Sequence, residues 1–113
     1  MSREADQARL ERIVVYIKDV DDIVRRHGGV SPTLDDVEGQ YAILLCLTQI
    51  GELLGKITDP AYQEDLPIRL AVGLRNIIVH DYEGVDMRVI EYTITKQLPA
   101  LKVSIDRLLA PDL

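Results

Sequence analysis

Apolar residues recur along this chain at three- and four-residue steps, the period that lays one side of an α-helix against a core. Leu10, Ile13, Val14, Ile17, Val20 and Val24 form the first such stripe. Arg25, Arg26 and His27 come next in its last turn, where cations offset the partial negative charge of a helix C-terminus. Gly28-Gly29 then ends the helix. A polar connector through Ser31-Pro32-Thr33 leads to Asp35 or Asp36, either of which can cap a second helix from about Val37 to Ile57. In it, Tyr41, Leu44, Leu45, Thr48, Gly51 and Leu54 make one stripe, and Ile43, Leu47, Ile50 and Leu53 widen it. That breadth predicts the most buried helix of the fold, with Cys46 as a small core residue within it.

Thr58-Asp59-Pro60 reads as a stop and then a new start, with Asp59 as cap and Pro60 in the first turn. Leu66-Pro67 repeats that punctuation before a third long helix, from Pro67 to about Val79. Gly84 breaks the pattern, and Asp86 can cap a fourth helix carrying Val89, Ile90, Thr93 and Ile94. Pro99 must kink or divide the C-terminal stretch, because it lacks an N–H and its ring crowds the carbonyl of Thr95. The last segment, Leu98 to Leu109, keeps Leu101, Ile105, Leu108 and Leu109 on one side. The pattern as a whole predicts an all-α, up-and-down bundle of four or five helices in a single domain over residues 1–113. Several helices are apolar over more than one stripe, which points to a second subunit covering part of that surface.

Composition narrows the picture. The chain has 113 residues, 47% hydrophobic and 28% charged, which is a globular balance and not a disordered one. Its five aromatics are all Tyr, so the core must be aliphatic. A single cysteine excludes an intrachain disulfide and every multi-cysteine metal site. His27 and His80 are the only histidines, and no closely spaced His/carboxylate set suggests a metal or other cofactor. The start, Met1-Ser2-Arg3-Glu4-Ala5-Asp6, is too polar for a signal peptide, and the longest apolar run, Tyr41 to Leu47, falls far short of the roughly 20 residues that span a bilayer. A soluble cytoplasmic protein without a membrane partner is expected.

The net charge of −6 argues against broad nucleic-acid binding. It is unevenly placed, however. Residues 1–66 carry 13 acids and 7 bases, whereas residues 67–113 carry six of each. From Pro67 to His80 there are two arginines, Arg69 and Arg75, and no acid. An anion-binding surface, if the chain has one, belongs there.

That segment runs into a group of polar residues, Arg75, Asn76, His80, Asp81 and Tyr82, around the β-branched run Ile77-Ile78-Val79, which is expected to anchor it in the core. Their types suit phosphodiester chemistry. Arg grips phosphate oxygens with paired donors and offsets the charge that builds during transfer. His titrates near neutrality, so it can take a proton from a ribose 2′-hydroxyl or give one to a leaving oxygen. Asn adds a neutral amide for orientation. Yet Arg75 and His80, five residues apart, are about 140° apart around an ideal helix. Either the helix loosens at His80, or two copies of the segment meet across a two-fold axis. Arg75 and Tyr82, seven apart, would share a face if the helix ran that far. The residues alone leave open a plainer reading, a capping His and a solvated Arg.

Arg75, four residues, His80, one residue, Tyr82 resembles the Arg-x4-His-x-Tyr signature of HEPN-domain toxins of the HepT-like type. Asn76 directly after the Arg, the Ile50-Gly51-Glu52 element and Leu98-Pro99 extend the likeness over most of the chain. The resemblance implies a HEPN bundle acting as a homodimer with its two motifs facing each other, and metal-independent RNA cleavage. Arg75 and His80 would be the catalytic pair, with Asn76 and Asp81 supporting. It further implies a toxin–antitoxin module in which a nucleotidyltransferase antitoxin, of the MNT type, neutralises the protein by adenylylating Tyr82. The competing reading is a non-catalytic, dimeric helical module that binds a nucleotide or a protein partner, which the overall acidity would suit.

Overall fold

A computed structural model describes residues 2–111; Met1, Asp112 and Leu113 lie outside the described residues. The elements are α1 (Ser2–His27), α2 (Val30–Asp35), α3 (Val37–Gly55), α4 (Pro60–Asp65), α5 (Ile68–His80), α6 (Met87–Tyr92) and α7 (Leu98–Leu109). A 3₁₀ turn spans Tyr82–Gly84, and a π-helical turn at Thr93–Gln97 joins α6 to α7. Among the described residues there is no strand, and no helix is long and apolar enough to cross a membrane.

The long elements α1, α3, α5 and the rod formed by α6, the π turn and α7 make the expected all-α bundle. Central α3 packs most extensively on α5 and α1, and α7 closes against α1. The core is aliphatic, with Leu10, Ile13, Val20, Ile43, Leu44, Leu54, Ile90 and Ile105 fully buried or nearly so. Three aspartates read from the sequence as caps do that work: Asp36 accepts from Gly39 N–H at 2.8 Å, Asp59 from Ala61 N–H at 2.9 Å and Asp86 from Arg88 N–H at 2.9 Å.

Three local expectations change, and a fourth, the division at Pro99, takes a specific form. The polar connector is itself a short helix, α2: Gly28 and Gly29 take positive φ (87° and 140°) to turn the chain, and Pro32 sits in the first turn, where no donor is needed. Thr33, polar but buried, donates its hydroxyl to the Gly29 carbonyl at 2.6 Å. On α3 the buried side runs through Ile43, Leu44, Leu47, Ile50, Gly51 and Leu54, leaving Tyr41 and Leu45 exposed, because α1 and α5 flank α3 and, among the described residues, its remaining side stays largely open. In Ile77-Ile78-Val79 only Ile78 is buried; consecutive helical residues point about 100° apart, so three in a row cannot all face the core. Pro99 divides its rod without breaking it: it occupies the first turn of α7, and the wider π turn just before absorbs the crowding.

The buried polar anchor of the fold is Asp6. Its carboxylate accepts from Asp59 N–H at 2.7 Å, from Thr58 N–H at 3.1 Å and from Arg9 Nη1 at 2.9 Å. It thus ties the start of α1 to the turn between α3 and α4. Burial raises its pKa, but these donors more than offset it and hold the carboxyl below the ordinary 3.8.

Candidate functional site

The site begins with a close helix contact. Gly51 on α3 faces α5, where an added Cβ would fall 2.5 Å from the Arg75 Cβ and 2.8 Å from the Ala71 carbonyl oxygen. Only the absence of a side chain lets the two helices approach this closely. Ile50 before it is buried in the core, and Glu52 after it reaches Arg75. The three residues of the Ile-Gly-Glu element thus anchor, admit and pair.

Arg75 is gripped from two sides. Its Nη2 forms an ion pair with Glu52 Oε1, and its Nη1 donates to Asn76 Oδ1 at 2.9 Å. Its Nε is buried and without a partner, a donor whose unmet bond costs about 1–3 kcal/mol. The Arg75 side chain retains 29% exposure, so its planar fork is oriented but still reachable from solvent. Asn76, whose supporting role comes from the resemblance, thus touches Arg75. The Ile50-Gly51-Glu52 element is visible in the sequence, but not that its Glu reaches Arg75.

His80 ends α5 and is exposed. The helix stays regular to that point, and Asp81 N–H closes it on the Ile77 carbonyl at 2.8 Å. The loosening at His80 that would swing it toward Arg75 is therefore not what the chain does. Within one chain Arg75 turns inward to α3 while His80 stands on another face. Asp81 is the C-terminal cap of α5, with φ −146° and ψ 62°, and its carboxylate lies so close to Gly84 that a Cβ there would collide with it.

Tyr82 falls past the end of α5, in the 3₁₀ turn, so it does not continue the Arg75 face as a longer helix would have had it. It packs instead against Tyr41, ring centroids 5.6 Å apart and planes tilted by 60°. Burial pushes the phenol above its ordinary pKa of 10, and Tyr41 adds to the effect. The two tyrosines border an open apolar groove with Leu44, Leu45, Thr48 and Ile78. The apolar stripe of α3 places Tyr41 among core residues, since a Tyr at that spacing gives no sign that it will face another aromatic. A separate apolar cavity of about 470 Å³, between α3, α5 and the α6–α7 rod, holds none of the motif's polar side chains.

The sequence is similar to those of known proteins. A Thermococcus cleftensis protein described as "Probable ribonuclease HepT" is 31% identical over 77 residues, covering 66% of this chain and 70% of that one. Two Methanocaldococcus jannaschii proteins provisionally named as RNases are each 28% identical over 72 residues, or 62% of this chain. The match spans 62% and 60% of their own lengths. No solved structure matches the chain. Residues 13–108 match the family described as "Ribonuclease HepT-like", a stretch that takes in α3, α5 and the whole Arg75–Tyr82 motif, and the chain belongs to that family.

Proposed function

We propose that this protein is an RNA-cleaving toxin that works as a homodimer, with Arg75 and His80 as its catalytic pair and no metal ion. The observation that carries the reading is the pre-oriented guanidinium: Glu52 and Asn76 hold Arg75 in place on a helix without acids, five residues before an exposed His. Because the two side chains lie on different faces of a regular helix, one phosphate receives both only when a second copy brings its own motif across a two-fold axis.

The chemistry is set by the residue types. His80 takes the proton of a ribose 2′-hydroxyl as that oxygen attacks the neighbouring phosphorus. The bond to the 5′-oxygen breaks and that oxygen gains a proton, which leaves a 2′,3′-cyclic phosphate and a free 5′-hydroxyl. Arg75 offsets the added negative charge on the phosphate oxygens. Asp81, at the cap beside His80, fixes where α5 ends.

Tyr82 is the control point. Its phenolic oxygen attacks the α-phosphorus of ATP in the active site of a nucleotidyltransferase antitoxin, pyrophosphate leaves, and the phenolic proton passes to the antitoxin. The adenylyl group then sets bulk and a negative phosphate beside the cleft, which repels RNA. The setting is the cytoplasm, where RNA, ATP and the antitoxin meet.

Incubation of the purified protein with RNA in EDTA tests the proposal. Wild type should yield 2′,3′-cyclic phosphate ends, and His80→Ala should yield none while remaining dimeric. Pure, unmodified, dimeric wild type that leaves RNA intact overturns it. Co-expression with a nucleotidyltransferase of the MNT type should add one adenylyl mass, mapped to Tyr82.

A further inference from the structure

The motif accounts for one end of α5, and the rest of its outer face is unassigned. Arg69, Gly73, Asn76 and His80 succeed one another at four-, three- and four-residue steps, so they share a narrow stripe about 16 Å long. Arg69, Asn76 and His80 are exposed. The Arg69 side chain makes no hydrogen bond or ion pair among the described residues, although Glu64 and Asp65 close α4 just upstream. A shallow groove bordered by Gln63, Leu66, Arg69, Val72, Gly73 and Asn76 runs beside the stripe.

Gly73 is the telling position. In the middle of a helix, glycine costs roughly 0.5–1 kcal/mol relative to alanine. Gly51 repays that cost by admitting α5, but a Cβ on Gly73 would meet nothing within 4 Å. Among the described residues no contact calls for a glycine there. What a bare stretch of helix offers is close approach to a group from outside, and the stripe's own charge favours an anion: no acid lies between Pro67 and His80, and with Arg75 paired to Glu52 the exposed Arg69 supplies the positive charge.

We propose that the outer face of α5 is a track for the backbone of single-stranded RNA, leading from His80 past Asn76 and the bare Gly73 to a phosphate held by Arg69. The inference rests on RNA as the substrate and extends it: the site binds several nucleotides on one side of the scissile bond, with Arg69 as a binding residue remote from the chemistry. A flexible single strand can follow the curved helix face, and contact through phosphates makes the track indifferent to base sequence.

Full-length wild type, Arg69→Ala and Gly73→Glu are compared on a single-stranded RNA 12-mer and on a dinucleoside monophosphate too short to reach Arg69. Binding is read separately, by fluorescence anisotropy, on a 12-mer whose 2′-O-methyl groups prevent cleavage, and oligomeric state is measured on the same samples. Arg69→Ala should raise KM for the 12-mer roughly tenfold with kcat unchanged, weaken anisotropy binding to match, and leave the short substrate unaffected. Its dependence of log affinity on log salt should be shallower by about 0.7, the loss of one single-strand phosphate contact. Gly73→Glu, which removes the glycine penalty and so keeps the helix, should act in the same direction. Cleavage by wild type with 12-mer KM, binding and salt slope all unchanged in both variants overturns the track and leaves the catalytic reading standing. Dissociation of the dimer by Gly73→Glu would make the face a subunit contact and overturn the track as well. A wild type that neither cleaves nor binds the 12-mer removes both proposals; one that binds through Arg69 without cleaving supports the track and removes only the catalytic step.

Discussion

Arg75 is held by two different kinds of partner, and their contributions can be separated. Asn76 lends a neutral acceptor from the same helix, whereas Glu52 lends a full charge from α3. Because a part-exposed ion pair contributes only about 0–1 kcal/mol to stability, Glu52→Gln should change the melting temperature little, yet by loosening Arg75 it should slow RNA cleavage roughly tenfold, chiefly in kcat. Glu52→Asp, which keeps the charge on a shorter arm, should recover part of the loss. Full activity in Glu52→Gln would mean that the ion pair serves packing alone. Cys46 makes the opposite kind of residue-scale case. Burial, with Asp19 adding to it, pushes its thiol up to about 11, so almost no thiolate exists near neutrality. It should resist iodoacetamide in the native protein and react readily in denaturant, and Cys46→Ser should leave RNA cleavage intact.

At the scale of the helix, the contact between α3 and α5 is what sets the site, and two glycines test it in opposite directions. Gly51→Ala drives a methyl group into Arg75 and the Ala71 carbonyl, so α5 must move away. Overpacking of this kind costs about 1–3 kcal/mol, and here it should also shift Arg75 from Glu52, lowering melting temperature and cleavage together. Gly73→Ala meets open space and should stabilise the protein by about 0.5–1 kcal/mol. Thermal melts of the pair check both signs. These elements also show which features a single sequence makes legible. The caps Asp36, Asp59 and Asp86 could be read because a cap and its N–H donor lie within three residues. The spacing of Arg75, His80 and Tyr82 was equally visible. The exposed side of α3 was not, because Tyr41 and Leu45 have the same apolar character as Leu44 and Leu47, and only the placement of α1 and α5 decides which pair is covered. Nor was Asp6, whose backbone donors stand 52 and 53 residues away. The grip of Glu52 on Arg75 was hidden for the same reason, since it depends on the register of two helices.

At the scale of the molecule, charge and thickness govern behaviour. Asp6 joins the two ends of the acidic half, and its lowered pKa fixes the sign of its pH effect. A carboxyl held below its unfolded value stabilises the fold above about pH 4, and that contribution is lost as pH falls through the folded value. Asp6→Asn should therefore melt lower than wild type at neutral pH, and the gap between them should narrow in melts carried out on the acid side. The principal extents of 44 × 29 × 19 Å make the molecule about two helices thick, so α3 cannot be covered on every side by its own chain. Val37, Tyr41 and Leu45, at four-residue steps, remain 62%, 56% and 60% exposed, and Tyr82 extends that surface to the end of the motif. Covering a leucine there is favourable by about 1.5–3 kcal/mol, enough for a few such residues to hold two copies together beside their motifs. If this is the face through which the proposed dimer forms, Leu45→Glu should yield a folded monomer, because an exposed position tolerates a charge in the isolated chain. Light scattering would report the monomer, circular dichroism its intact helices, and an RNA assay should find cleavage lost with Arg75 and His80 both untouched. A Leu45→Glu monomer that still cleaves at the wild-type rate would show that one copy suffices, and the two-fold arrangement of the catalytic pair would have to be abandoned.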